Sequence, residues 1–271
     1  MTKPLIDRAA LIRNRQRASA APALFLHGTA ADEIKDRLEM VNKSFIAPAV
    51  VSGFPDFWQT VLPNAKCVAD TEVLDLAEGA HDLVIHAMCL HWANDPVGQL
   101  IQARRALRPD GLLLAVLLGG ETLKELRVSL AQAESDLSGG LSPRVVPMGE
   151  IRDLGALLQR AGFALPVADS LPLEVSYASP LHLMKDLRAM GETNAMTGRS
   201  RHMMRKTLLA KANQIYTNEF GGADGRIAST FEMIFLTGWS PDPSQPQPLR
   251  PGSATSRLAD ALETDENRLK D

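Results

Sequence analysis

Polar and titratable side chains stand at four places where the chain is expected to turn. Asp70 ends the short run Lys66–Ala69. His91 and Trp92 close the apolar run Leu83–Leu90. Glu121 follows Gly119-Gly120, with Arg127 six residues on, and Glu192 and Asn194 follow Gly191. A histidine at a strand end serves as a base or ligand contact, or is simply hydrogen-bonded there. No adjacent Asp, Cys or Ser completes a catalytic pair with His91, so the second reading is the local default. Trp92 reads as core or pocket wall. Asp70 either reaches a ligand or caps the turn Thr71–Leu74. Glu121 and Arg127 are too far apart to pair on one helix face, so each faces a different partner. Gly119 and Gly120 permit close backbone approach. Glu192 and Asn194 either face a site from a loop or cap a helix starting near Ser200. His81, His86 and His91 are five apart. That spacing aligns side chains on neither a helix nor one strand face, so no metal is expected. Cys67 and Cys89 lie in or beside apolar runs and read as buried free thiols.

The elements that must position these residues centre on 82–118, a strand–helix–strand unit. Leu83–Leu90 is the first strand. Asp95-Pro96 supplies an N-cap and a proline at the first helical position. Val97, Leu100, Ile101 and Leu107 form the helix stripe, Arg108–Gly111 a turn, and Leu112–Leu118 the second buried strand. A crossover of this length joins parallel strands. The expected fold is therefore α/β, a mostly parallel, doubly wound sheet with helices on both faces. Its ligands belong beyond the strand ends at Leu90-His91-Trp92 and Gly119-Gly120-Glu121. Around this unit the periodicity predicts helices over 30–44, 123–138, 149–161, 180–190 and 200–219. The last has a basic face of Arg201, Arg205, Lys206 and Lys211. Short strands are predicted at 48–51 and 66–69, an alternating strand at 171–177, and an antiparallel edge strand at 230–236. Three segments follow: an N-terminal helical part, 1–44; a main domain, 45–239, with a helical insertion about 179–220; and a proline-rich, extended or disordered tail, 240–271.

The 271 residues are 45% hydrophobic and 23% charged, with a net charge of −3. That balance gives no basic excess for nucleic acid. No apolar run is long enough to span a membrane. Lys3, Arg8, Arg13, Arg15 and Arg17 face the single acid Asp7. They read as an Arg-rich transit segment or as an amphipathic helix with Leu5, Ile6, Ala9 and Ile12 on its apolar side. The basic face would suit peripheral contact with an anionic membrane. The expected compartment is a bacterial cytoplasm, with the mitochondrial matrix as the alternative.

The order of elements suggests a class I S-adenosylmethionine-dependent methyltransferase fold. The blocks Leu90–Asp95, Leu107–Gly111, Gly119–Arg127, Asp153-Leu154-Gly155, Arg160–Phe163, Met190–Asn194, Gly238-Trp239 and Pro251–Ala254 resemble the methyltransferase-like assembly factors of respiratory complex I. GGETLKELR followed by MGETN is the specific part, since biotin-pathway methyltransferases share the shorter pieces. The resemblance implies S-adenosylmethionine on the fold. It also implies a complex I subunit or assembly factor as partner, and methylation or hydroxylation of an arginine. It places Gly53, Asp70, Leu90, His91 and Trp92 toward the cofactor, and Gly120, Glu121, Arg127, Glu192 and Asn194 toward substrate or partner. No catalytic residue is named by it.

The chain departs from that family's fold at its first strand. Where an acid and a glycine-rich turn are expected, it reads Val51-Ser52-Gly53-Phe54-Pro55. Only Gly53 remains to let a cofactor approach the backbone. About thirty residues separate strand 1 from Leu83, too few for two βαβ units at roughly thirty residues each, so one strand and its helix are missing. The lost strand is the one expected to end in the acid for the ribose hydroxyls, with Asp70 matching the position near the adenine amine. Three functions remain: an enzyme modifying a partner protein; a degenerate, non-catalytic partner-binding module without cofactor; and a small-molecule methyltransferase, which the specific blocks disfavour.

Overall fold

The computed structural model describes residues 4–246 and Thr264. Pro251–Ala254 and most of the expected tail lie outside the described residues. The backbone divides into two compact units, Met1–Pro241 and Asp242–Asp271. In the second, the Gln245 N–H donates to the Asp242 carbonyl at 3.1 Å. The first contains the sheet and the candidate site.

Its six strands are β1 Pro48–Ser52, β2 Lys66–Ala69, β3 His81–Ala87, β4 Leu107–Leu118, β5 Ala164–Tyr177 and β6 Ile227–Trp239. Their order is β2-β1-β3-β4-β6-β5. The first four run parallel, and β6 is antiparallel to both β4 and β5. This is the expected α/β sheet. The return from β2 across β1 to β3, residues 70–80, contains no helix. Alternation along β4 shows why the sheet lies between two helical layers. Leu112, Leu114, Val116 and Leu118 join one core, and Leu113, Ala115 and Leu117 join the other. Period-two alternation with both sets apolar is what burial on two faces demands.

Eight α-helices accompany the sheet among the described residues: α1 Arg8–Ala18, α2 Phe25–Met40, α3 Pro55–Val61, α4 Pro96–Ala106, α5 Lys124–Ser138, α6 Ile151–Arg160, α7 Pro180–Ala189 and α8 Lys206–Phe220. Residues of α2, α3, α5, α7 and α8 share the first core, and those of α4 and α6 share the second.

Five expectations change. The strand at 83–90 stops at Ala87; Met88 takes a positive φ of 54°, and Leu90–Trp92 is a single 3-10 turn. Arg108–Gly111 does not separate helix from strand but bulges inside β4. Leu107 faces His81 and Leu112 faces Leu83, so the extra residues loop out, with Asp110 at φ 57°. The strand at 230–236 is interior, and β5 is the edge: Met233 and Phe235 face one core while Ile234 and Leu236 face the other. Helix α8 begins at Lys206, leaving Arg201 outside it and Arg205 as its N-cap residue. On α1 the buried face is Ala10, Leu11, Arg15 and Ala18, while Leu5 and Ile12 are about half exposed.

The start of α4 is as the sequence reads: Asp95 accepts from the Gly98 N–H at 2.8 Å, ahead of Pro96. Replacing Asp95 by Ala is expected to lower stability by about 0.5–2 kcal/mol, read as a lower denaturant midpoint at unchanged slope.

Candidate functional site

The chain leaves β1 in one direction for β2 and returns in the other for β3. Open α/β sheets bind ligands at such a reversal, outside the carboxyl ends of the strands. Here the crevice is bordered by Ser52-Gly53 at the end of β1, Asp70 after β2 and Cys89–Trp92 after β3. Because β2 pairs directly with β1, Asp70 ends the strand beside β1. That is where dinucleotide folds keep the acid for the ribose hydroxyls. By its place in the sheet Asp70 stands at that position, while the family resemblance matches it to the one near the adenine amine.

Asp70 neither caps the turn that follows nor faces open space. Its Oδ1 accepts from Arg15 Nη1 at 2.7 Å and its Oδ2 from Arg8 Nη1 at 3.2 Å. The Asp70 carbonyl also accepts from Arg8 Nη2. Asp70 and Arg15 are both buried. Burial would push the Asp70 carboxyl up, but Arg15 and then Arg8 hold it below the usual range. Burial likewise opposes the Arg15 charge, and Asp70 more than restores it. The Arg15 guanidinium lies on Gly53: a Cβ there would be 2.3 Å from Cζ. The Arg15 stem lies on Gly191, whose φ of 77° and a Cβ at 2.9 Å from Arg15 Cγ both call for glycine.

As arranged, these residues do not fit a nucleoside cofactor. The bare face of the remaining glycine is covered, and the acid's oxygens are taken by two guanidiniums. Phe54 lines the groove beside Gly53 and packs edge-on against His27 at 5.3 Å between ring centres.

A second concavity opens on the β4 side. The groove, of about 230 Å³, has walls of Trp92, Leu118, Leu123, Leu126, Leu187 and Phe231, with Glu192 as its acid. The Glu192 side chain is 13% exposed. Its Oε2 accepts from Trp92 Nε1 at 2.7 Å and meets His91 Nε2 at 3.3 Å. The Leu118 N–H reaches His91 Nδ1 at 3.4 Å, which leaves Nε2 as the ring donor toward Glu192. Burial would raise the Glu192 carboxyl; His91, Arg15 and the indole N–H outweigh it and hold it low. Of the two cations on the wall, Arg144 is held by Glu134 at 2.7 Å, and Arg188 is exposed. The sequence reading missed the pairing of His91 with an acid, because Glu192 arrives from the turn after α7, a hundred residues away.

Cys89 Sγ lies 3.3 Å from His86 Nδ1, and His86 Nε2 lies 3.2 Å from Gln99 Oε1. Burial raises the thiol well above its ordinary value and lowers the imidazole. The thiol therefore stays protonated at neutral pH and is not poised as a nucleophile.

Leu90 is buried in the core shared with α4 and α6. Gly120 backs against Glu150, and its carbonyl accepts from Arg127 Nη2 at 2.9 Å. Glu121 pairs with Lys124 at 2.8 Å on the surface. Asn194 lines the Glu192 groove, donating from Nδ2 to the Pro143 carbonyl and accepting from the Met196 N–H. The structure thus brings Gly53 and Asp70 to Arg15, brings His91 and Trp92 to Glu192 with Asn194 on the same groove, and leaves Gly120, Glu121 and Arg127 in a separate turn. No group of three His, Cys, Asp or Glu suited to a metal is found among the described residues. No helix among them is long and apolar enough to cross a membrane.

Residues 39–115 match a family model described as a methyltransferase domain. The chain is 39% identical over 222 residues to "Arginine-hydroxylase NDUFAF5, mitochondrial" of Danio rerio, covering 82% of this chain and 69% of that protein. It is 37% identical to the Homo sapiens protein of that name, covering 80% and 63%. It is also 37% identical to a malonyl-[acyl-carrier protein] O-methyltransferase of Laribacter hongkongensis, over 66% of this chain and 57% of that one. All three carry the names of enzymes, which does not favour the reading of a module without chemistry.

Replacing Asp70 by Ala leaves two guanidiniums without their carboxylate, one of them buried, and is expected to cost about 3–5 kcal/mol of stability. The pH dependence follows from the lowered carboxyl. Its contribution is complete above the unfolded value of about 3.9 and disappears as pH falls through the lower folded value. Asp70→Asn should therefore lose less stability than wild type on acidification below about pH 4, measured by urea titration at each pH.

Proposed function

Since the chain belongs to the family of methyltransferase-like complex I assembly factors that includes the NDUFAF5 proteins, we propose that it modifies an arginine of a partner protein. The side chain enters the groove that ends at Glu192. The partner is a complex I subunit or another assembly factor, and the modification is hydroxylation, with methylation as the other outcome. The compartment is the bacterial cytoplasm or the mitochondrial matrix, where such a partner would be met.

The groove at Glu192 carries this reading. A guanidinium on a three-carbon stem needs apolar walls for the stem and a planar carboxylate for the head. Leu118, Leu123, Leu126 and Phe231 offer the first, and Glu192 the second. The Trp92 indole N–H fixes Oε2, and no hydrogen bond to Oε1 is formed among the described residues. The volume of about 230 Å³ is below the roughly 300–1,000 Å³ of sites for whole small molecules. It suits a single long side chain better than a free metabolite. The chain's residues bind and orient the guanidinium.

The test is a titration with acetyl-arginine amide and its neutral counterpart acetyl-citrulline amide. Arginine should bind at least ten-fold tighter, and Glu192→Gln should erase the difference, as expected for losing a charged hydrogen bond of roughly 1.5–3 kcal/mol. Equal binding of the two amides would refute the site. Mass spectrometry of complex I subunits from cells with and without the protein then separates an added oxygen from an added methyl. An unmodified arginine in both samples would remove the chemistry from the proposal.

A further inference from the structure

We infer that the surface where the loop after α7 meets the start of α1 docks on an anionic lipid bilayer, with Met203 as the side chain that enters it. The inference does not depend on what the groove at Glu192 receives.

Three stretches of chain build this surface. The Thr197 N–H donates to the Leu5 carbonyl at 2.9 Å, and Arg199 pairs with Asp7 at 2.9 Å, which ties the loop after α7 to the approach to α1. Asn194 Nδ2 donates to the Pro143 carbonyl at 2.9 Å, which brings in the segment after α5. Each stretch exposes one large apolar side chain: Leu5 about half, Leu141 71% and Met203 95%. A single exposed apolar residue needs no explanation. Three on adjoining stretches, one of them almost wholly in solvent, call for one.

Charge is the second argument. Arg201, His202, Arg205 and Lys206 flank Met203 in the chain, and all four are exposed. Arg199 and Arg201 share one acid, Asp7, at 2.9 and 3.6 Å. Glu134 is taken up by Arg144 at 2.7 Å. Arg205 and Lys206 make no ion pair among the described residues. The acids here are spent and cations are left over, although the whole chain carries a net charge of −3. The excess therefore comes from placement and not from composition. The N-terminal arginines do not supply it, since Arg8 and Arg15 turn inward to Asp70.

The pattern of the two together selects the occupant. A protein partner is met by a contiguous apolar centre with a polar rim. Here the apolar residues stand apart, with cations between them. That suits a bilayer surface: lipid phosphates take the cations, and a lone unbranched side chain enters the boundary below the headgroups. Arginine and lysine stems are long enough to follow it while their charged ends stay in water. Met204, the next residue, lines the groove that ends at Glu192, as does Arg188. Docking through Met203 therefore sets the mouth of that groove close to the membrane surface.

Co-sedimentation of the full chain with lipid vesicles tests the surface. Vesicles of equal parts phosphatidylcholine and phosphatidylglycerol should bind it at least about ten-fold tighter than phosphatidylcholine alone, and less tightly as salt is raised. Arg205→Glu combined with Lys206→Glu should remove that gain. Acids suit the start of α8, so the fold is not at stake in this variant. Met203→Trp reads insertion directly: its fluorescence should shift to the blue on the mixed vesicles. Equal binding to both vesicle types, full binding by the double variant, or an unshifted fluorescence would each overturn the inference. So would capture by immobilised poly-glutamate without capture by the vesicles, which would assign the cations to an acidic protein.

Discussion

One carboxylate in a buried setting organises the candidate site. Asp70 is surrounded by low-dielectric protein, where an unpaired charge is far too costly to persist. It is ionised because Arg15 and Arg8 arrive from α1, and Arg15 in turn keeps its charge because Asp70 is there. This mutual dependence brings the N-terminal helix onto the ends of β1 and β2. Through the stem of Arg15 it also fixes the turn at Gly191, which carries Glu192 to His91 and Trp92. Two acids from distant parts of the chain, Asp70 and Glu192, thus both feel the charge of Arg15.

Much of the frame was legible in the sequence because local signals and burial agreed there. Asp95-Pro96, Gly139 and Gly162 mark helix ends by backbone chemistry that no tertiary contact overrides. The apolar runs at 48–51, 66–69 and 112–118 had no competing period. The shortage of residues between β1 and β3 gave the six-stranded sheet by simple length. The errors share a cause as well. Arg15 was counted among solvent charges, yet it lies on the buried face, since composition cannot tell a paired arginine from a solvated one. Of the expected apolar side, Leu5, Ile6, Ala9 and Ile12, only Ile6 is buried. The basic run before α8 was drawn into the helix because nothing in its residues forbids helix.

The site itself was legible as a set of turns and illegible as a constellation. Sequence position put Asp70, His91, Trp92 and Glu192 at element ends, where strands and helices deliver polar groups. Which of them meet depends on sheet order, and the order β2-β1-β3 is a long-range property. GGETLKELR and MGETN illustrate the difference. Glu192 of the second block reaches the strand ends, while Glu121 and Arg127 of the first close their own turn through Lys124 and the Gly120 carbonyl.

The absence of a strand beyond β2 among the described residues has a consequence for the company the protein keeps. It turns β2 into a sheet margin, and an unpaired margin is a template on which another chain can add a strand. The margin here is four residues long and begins at Lys66, whose ammonium lies 3.3 Å from Asp75 in the loop that follows. Shortness and a charged residue are the devices by which β-proteins discourage such pairing. The β2 end of the sheet is therefore a poor template for another strand.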